Sequence, residues 1–163
     1  MTNLDKEDIL AIDPKEVRVR LSISDPAELQ TRNVRLALKF DHYDGSQSEY
    51  QYLLEIIDVK VKDAISSWFS SAPLKHVYQF KLAALSQLEF NKYQLNYTKH
   101  GKPKRYHWSV YYYLKPMRKK IKAPIHKNNG QKKISELNID MELKISKSDD
   151  YFYLLKNAPI EIN

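Results

Sequence analysis

The amino-acid sequence predicts an α+β domain, built mostly from an antiparallel sheet of about seven strands with one central helical segment. Two observations predict this class. Apolar and polar residues alternate in several short runs, which is typical of strands with one buried face. One stretch near the middle of the chain is instead rich in Lys, Leu and Ala, which favour helices. An all-β sandwich is the alternative, because part of that stretch also alternates.

Three strands are predicted in the first part of the chain, over residues 16–24, 34–40 and 50–61. The first two have an apolar residue at every second position, which is the period of a half-buried strand. Asp25-Pro26 predicts a turn or a single helical turn after the first strand, since proline suits a first helical position. Asp44-Gly45 lies between the next two strands and predicts a hairpin whose connection is longer than two residues.

The middle of the chain carries the predicted helix, over residues 74–90. Its apolar residues fall on one helical stripe, although His76, Tyr78 and Phe80 also alternate as they would in a strand. The rest of the chain returns to a period of two. Four further strands are therefore expected, over residues 93–97, 106–114, 137–145 and 151–155.

The length and composition indicate one globular domain. A chain of 163 residues has the size of a single domain, and we expect an acidic N-terminal arm over residues 1–14 and the domain over residues 15–163. The absence of cysteine excludes disulfides, thiol chemistry and cysteine-ligated metal centres. The sequence contains neither an apolar run long enough for a membrane-spanning helix nor a signal-peptide pattern, so we expect no membrane association and a cytoplasmic location.

The positive charge is concentrated in residues 99–133, which we call the basic segment. The chain carries 27 Lys and Arg against 20 Asp and Glu, and twelve of these cations lie in the basic segment. No acidic residue occurs between Glu89 and Glu136, whereas the rest of the chain is mildly acidic. A cationic surface of this density repels itself and is usually held for an anionic partner.

Aromatic residues interleave with the cations where the basic segment begins. We expect residues 93–98 and 105–115 to form a hairpin whose outward face presents tyrosine and histidine beside arginine and lysine. In single-strand binding, rings stack on bases while cations contact phosphates. The stacking candidates are His107, Tyr111 and Tyr113. The phosphate-contacting candidates are Arg105, Lys115, Arg118, Lys119, Lys120 and Lys122.

The leading hypothesis is therefore a small, non-enzymatic protein that binds single-stranded RNA or DNA through this hairpin and the adjacent loop. An acidic protein would satisfy the same electrostatics, so an accessory, inhibitor or assembly protein that docks its basic segment on such a partner is the alternative. We expect no cofactor and no metal ion, because the histidines are scattered and no glycine-rich phosphate loop is present.

Two short motifs suggest chemistry. Residues 107–110, His-Trp-Ser-Val, have the pattern of one half of a two-histidine phosphoesterase site, but the sequence has no second copy. Residues 140–144, Asp-Met-Glu-Leu-Lys, place a Glu-x-Lys on a predicted strand, as in nucleases that use a divalent ion and an oriented water. A metal-dependent nuclease is thus the third hypothesis, and it requires Asp58 or Asp63 to approach Glu142 in space.

Overall fold

The structure is a computed structural model, and it describes residues 8–62, 74–97, 103–116, 137–147 and 150–160. The described strands are β1 (Arg18–Ser24), β2 (Arg35–Asp41), β3 (Gln47–Lys62), β4 (Lys75–Leu82), β5 (Arg105–Tyr111), β6 (Asn138–Lys144) and β7 (Phe152–Pro159). The described helices are the single turn α1 (Asp8–Ala11) and the longer α2 (Ala84–Asn96). Two short 3-10 turns, Pro14–Glu16 and Thr31–Asn33, precede β1 and β2.

The strands form one antiparallel sheet of seven strands in the order β5-β2-β3-β4-β1-β6-β7. The sheet curls toward a barrel, because the backbone that follows β1 meets the backbone that follows β5. There the Gln30 N–H donates to the Tyr113 carbonyl at 2.8 Å, and the Lys115 N–H donates to the Glu28 carbonyl at 2.8 Å. The prediction of a mostly antiparallel, seven-stranded sheet is confirmed, and a curled sheet with few helices fits an all-β description as well.

The hydrophobic core lies on the inner face of the curled sheet. Alternate residues of the strands supply it, and Leu21, Phe80 and Leu143 are completely buried. Helix α2 packs over the inner side of β3, where the Phe90 ring meets the Tyr52 ring at a centroid distance of 5.3 Å. The alternation that predicted these strands is therefore the alternation between core and outer face.

The chain before β1 packs against α2. Ile9 is completely buried, and the Gln94 side-chain amide donates to the carbonyls of Ile9 and Ile12 at 2.8 and 2.7 Å. The Ile9 carbonyl also accepts a hydrogen bond from the Ile12 N–H at 3.4 Å, so the Gln94 amide adds a link between the end of α1 and α2. Residues 8–12 of the expected N-terminal arm are thus attached to the helix.

The hairpin predicted at Asp44-Gly45 is confirmed, and it joins β2 to β3. Gly45 has a φ of +85°, a left-handed backbone conformation that glycine adopts without steric cost. The Asp44 carboxylate accepts a hydrogen bond from the Ser46 N–H at 2.8 Å, which is a common role of aspartate in turns. The connection is longer than two residues, as expected.

The helix predicted over residues 74–90 is wrong in its first half, where the structure has β4. Helix α2 begins at Ala84 and continues to Asn96, so the strand predicted over residues 93–97 is wrong as well. Strand β4 lies between β3 and β1, and it buries Tyr78, Phe80 and Leu82 on the core side. Burial against two neighbouring strands outweighs the modest helix propensity of this stretch.

The hairpin expected between residues 93–98 and 105–115 is also wrong. Strand β5 pairs with β2 instead, with Tyr111 opposite Arg35 and Arg105 opposite Asp41. The alternation within β5 is as predicted, since Val110 is buried while Arg105 is exposed. Residues 99–102 and 117–133 of the basic segment lie outside the described residues.

Candidate nucleic-acid interface

The predicted site residues of β5 lie on the side of the sheet opposite the core, which we call the outer face. Successive residues of a strand point to opposite sides, so every second residue of β5 and of its neighbours shares this face. It is formed by Arg105, His107, Ser109 and Tyr111 of β5, by Arg35, Ala37, Lys39 and Asp41 of β2, and by Gln47, Glu49, Gln51 and Leu53 of β3.

Carboxylates hold two of the three predicted stacking residues. The His107 Nε2 lies 3.2 Å from the Asp41 Oδ2, and the Tyr111 hydroxyl donates to the Glu49 Oε1 at 2.6 Å. The Lys39 ammonium lies 5.6 Å from the centroid of the Tyr111 ring, which is within the range of a cation–π contact. These contacts fix the orientation of both rings on the outer face.

The same contacts shift two pKa values. The hydrogen bond with His107 lowers the pKa of the Asp41 carboxyl, and the hydrogen bond with Tyr111 raises the pKa of the Lys39 ammonium. Both groups are therefore charged at neutral pH. The middle of the outer face consequently carries charges of both signs. The basic segment itself contains no acidic residue, so its sequence did not indicate this mixture.

One end of the outer face forms a cleft of about 480 Å³, which we call the tyrosine cleft. Its lining consists of Asn33, Arg35, Gln51, Tyr111 and Tyr113. The Tyr113 side chain is open to solvent, with 61% of its surface exposed. The Arg35 Nη1 donates to the Gln51 Oε1 at 3.3 Å, so the guanidinium is directed along the wall of the cleft.

The tyrosine cleft unites two predicted residues with three that the sequence analysis missed. Tyr111 and Tyr113 were predicted. Asn33 comes from the turn before β2, Arg35 from β2 itself and Gln51 from β3. The alternation of β2 placed Arg35 on the side away from the core. Nothing in the sequence indicated that β2 would be the neighbour of β5.

The predicted phosphate-contacting residues are distributed more widely. Lys115 follows the cleft along the chain, and its Nζ lies 3.2 Å from the Glu28 Oε2 in a pair whose side chains are both more than half exposed. Arg105 lies at the opposite end of β5, next to the His107–Asp41 pair. Arg118, Lys119, Lys120 and Lys122 lie outside the described residues.

A second cleft of about 490 Å³ lies beside the β2–β3 hairpin and the end of α2. Aromatic rings line it, but they pack on one another: the Tyr93 centroid lies 5.1 Å from that of Phe40 and 4.8 Å from that of Tyr50. The His42 ring nitrogen is 2.8 Å from the Ser48 hydroxyl. Burial raises the pKa of the Tyr93 hydroxyl. The Phe40, Tyr50 and Tyr93 rings of this cleft therefore pack against one another, whereas Tyr43, which also lines it, is 72% exposed.

The glutamate of the predicted nuclease motif forms a bidentate ion pair. The Arg20 Nε donates to the Glu142 Oε2 at 2.7 Å, and the Arg20 Nη2 donates to the Glu142 Oε1 at 2.8 Å. The guanidinium carbon lies 4.0 Å from the centroid of the Tyr151 ring, and the hydrogen bond to Glu142 raises the pKa of Arg20. Glu142 therefore has a structural partner on the neighbouring strand.

The other acidic residues of this motif do not assemble around Glu142. The Asp140 carboxylate is 3.0 Å from the Lys75 ammonium and also accepts the Asn157 N–H at 2.7 Å. The cross-strand register places Asp58 three strands from Glu142, which is about 14 Å at the usual spacing between strands. Asp63 lies outside the described residues. In the part of the chain that the structure describes, no three His, Asp or Glu side chains form a group that could hold a metal ion.

Comparisons of the chain with protein-family models, with curated proteins and with solved structures find no match. Of the helices that the structure describes, none has the length and apolar character needed to cross a membrane.

Proposed function

We propose that this protein binds single-stranded RNA or DNA, with the tyrosine cleft as the base-stacking site and the basic segment as the phosphate-contacting arm. The observation that supports this most directly is the convergence of Tyr111, Tyr113 and Arg35 in one open cleft. Phenol rings and a guanidinium are the groups on which unpaired bases stack. The cleft lies where β5 ends, just before Lys115 and the remaining cations of the basic segment.

The side-chain amides of the cleft suit the edges of bases. Asn33 and Gln51 each offer a donor and an acceptor, which can pair with the exposed Watson–Crick edge of an unstacked base. A double helix hides that edge, and the described residues contain no basic helix of the kind that enters a major groove. The cleft therefore favours single strands over duplexes.

The carboxylates of the outer face determine where a phosphate backbone can run. Asp41 and Glu49 repel phosphates from the middle of the face, so we place the strand at the Tyr113 end. There the Lys115–Glu28 pair is exposed, and exposed pairs contribute only about 0–1 kcal/mol. A phosphate can replace the Glu28 carboxylate at little cost.

The test is fluorescence anisotropy with labelled single-stranded RNA, single-stranded DNA and duplex DNA, repeated across a range of salt concentrations. For single strands, log K should fall with log salt at a slope of roughly −0.7 per neutralised phosphate, or about −3.5 for about five contacts. Absence of binding at low salt would overturn the proposal, and an acidic protein would then be the partner to seek.

The stacking role is tested by Tyr113→Ala, which should weaken single-strand binding about 5- to 150-fold, given about 1–3 kcal/mol for each stacked base. The matched control is Tyr153→Ala, because Tyr153 is also an exposed tyrosine but lies on β7 at the far edge of the sheet. We expect Tyr111→Phe to retain binding, since it keeps the ring and removes only the hydroxyl that contacts Glu49. Equal affinities of Tyr113→Ala and Tyr153→Ala would contradict base stacking in the cleft.

A further inference from the structure

Strand β3 extends beyond its partner β2. It has 16 residues, and its first part pairs with β2 as far as Leu53, opposite Arg35. Its second part pairs with β4 from Leu54 to Lys62, except that a bulge between Ile56 and Asp58 leaves Ile57 out of the register. No strand among the described residues pairs with residues 57–62 on the side away from β4. We call this stretch the free edge of β3.

Apolar side chains of the free edge are exposed. Ile57, Val59 and Val61 are 47, 49 and 56% exposed, and they alternate with Asp58 and Lys60. Asp58 and Lys60 share the other side of the strand, where their charged groups lie 3.5 Å apart. An unpaired strand edge with an apolar stripe is a template for the addition of another strand, because its backbone N–H and carbonyl groups need partners.

The sequence of the free edge is complementary to itself. When two copies pair antiparallel about Val59, Val59 faces Val59 of the second copy and Ile57 faces Val61. In the same register Asp58 faces Lys60, and this attractive pair occurs twice by symmetry. Apolar residues thus meet apolar residues on one side of the ribbon, and opposite charges meet on the other.

Neighbouring registers lack this match. A shift of one residue places Asp58 opposite Val61, so charged and apolar side chains would share a face. A shift of two residues in one direction places Asp58 opposite Asp58. A shift of two residues in the other direction forms two Asp58–Lys62 pairs but places Lys60 opposite Lys60 at the centre, and like charges directly opposite each other destabilise a sheet. Only the register centred on Val59 pairs apolar residues with apolar residues on one side of the strand and opposite charges on the other side throughout residues 57–61.

We propose that the free edge of β3 binds the same edge of a second copy of this chain, joining two sheets across a two-fold axis. Such an interface is isologous, because each copy contributes the same residues. About five residues of each copy take part, so the contact is at the small end of specific interfaces and the dimer is weak. The proposal is independent of nucleic-acid binding.

The test is a charge exchange followed by sedimentation velocity over a range of protein concentrations. In Asp58→Lys every copy carries lysine at both positions 58 and 60, and in Lys60→Asp every copy carries aspartate at both. Each variant alone therefore brings like charges together twice, and its dimer dissociation constant should rise at least about tenfold. An equimolar mixture restores two Lys–Asp pairs, so it should form a dimer with one copy of each variant.

The control is Lys156→Asp, which reverses an exposed charge on β7 and should dimerise as the unaltered chain does. Circular dichroism of each variant shows whether it is folded before its mass is interpreted. A monomeric unaltered chain at millimolar concentration would overturn the proposal. Unimpaired dimerisation of both single variants, or failure of their mixture to associate, would overturn it as well.

Discussion

Replacing Glu142 with alanine should destabilise the fold by about 2 kcal/mol. The Glu142 side chain is 11% exposed and holds the Arg20 guanidinium, which is 32% exposed, through two hydrogen bonds. Removal of one partner from a fully buried pair costs about 3–5 kcal/mol, because the other charge stays buried without compensation. Since a third of Arg20 remains in contact with water, the cost is lower. For a chain of this size, about 2 kcal/mol corresponds to a fall in Tm of roughly 4–8 °C.

The assay is urea denaturation followed by tryptophan fluorescence. Glu55→Ala is the matched control, because Glu55 is an exposed glutamate on the same side of the sheet, and it should change the free energy of unfolding by less than about 0.5 kcal/mol. The double variant Arg20→Met with Glu142→Leu should recover most of the lost stability, since it leaves no charge without a partner. A free energy of unfolding within about 0.5 kcal/mol of the unaltered value in Glu142→Ala would refute this reasoning. Divalent-ion-dependent cleavage that Glu142→Gln abolishes would revive the nuclease hypothesis.

Two further predictions concern a buried hydroxyl and a surface carboxylate. The Tyr52 hydroxyl is buried without a hydrogen-bond partner among the described residues, so Tyr52→Phe should raise the free energy of unfolding by about 1 kcal/mol in urea titrations. Tyr78→Phe is the control, because it removes the hydroxyl that accepts a hydrogen bond from the Leu29 N–H and should therefore lower the free energy of unfolding. The lowered pKa of Asp41 means that its pairing with His107 stabilises the fold above the ordinary carboxyl pKa of 3.8 and is lost as the pH falls below it. Asp41→Asn should therefore lower Tm at pH 7 but leave it unchanged near pH 2, and a Tm deficit independent of pH would contradict this assignment.

Most of the strands could be predicted because each carries its own alternation. In β1, Val19, Leu21 and Ile23 face the core while Arg18 and Arg20 face outward, and this pattern depends only on neighbours two positions apart. The Asp44-Gly45 turn could be predicted for a similar reason, since its geometry follows from two adjacent residues. Local chemistry thus determines these elements.

The error in the middle of the chain has a different cause. Residues 74–90 satisfy both periods at once, so periodicity could not distinguish β4 from a helix. Tyr93 and Tyr97 likewise fit both patterns, because they belong to an alternating run and also lie one helical turn apart, with ring centroids at 5.9 Å. The deciding factor is the pair of neighbouring strands that flank β4, and the sequence does not reveal which strands those are.

The candidate site shows the same division between local and long-range information. The sequence correctly placed His107, Tyr111 and Arg105 on one side of a strand. It could not show that His107 meets Asp41, 66 positions away, or that Tyr111 meets Glu49, 62 positions away. The first contact follows from the pairing of β2 with β5, and the second also requires the pairing of β2 with β3. The outer face is therefore divided into a middle that carries charges of both signs and an open tyrosine cleft. The affinity of this protein for single strands should consequently respond to changes at Tyr113 more strongly than to changes at His107.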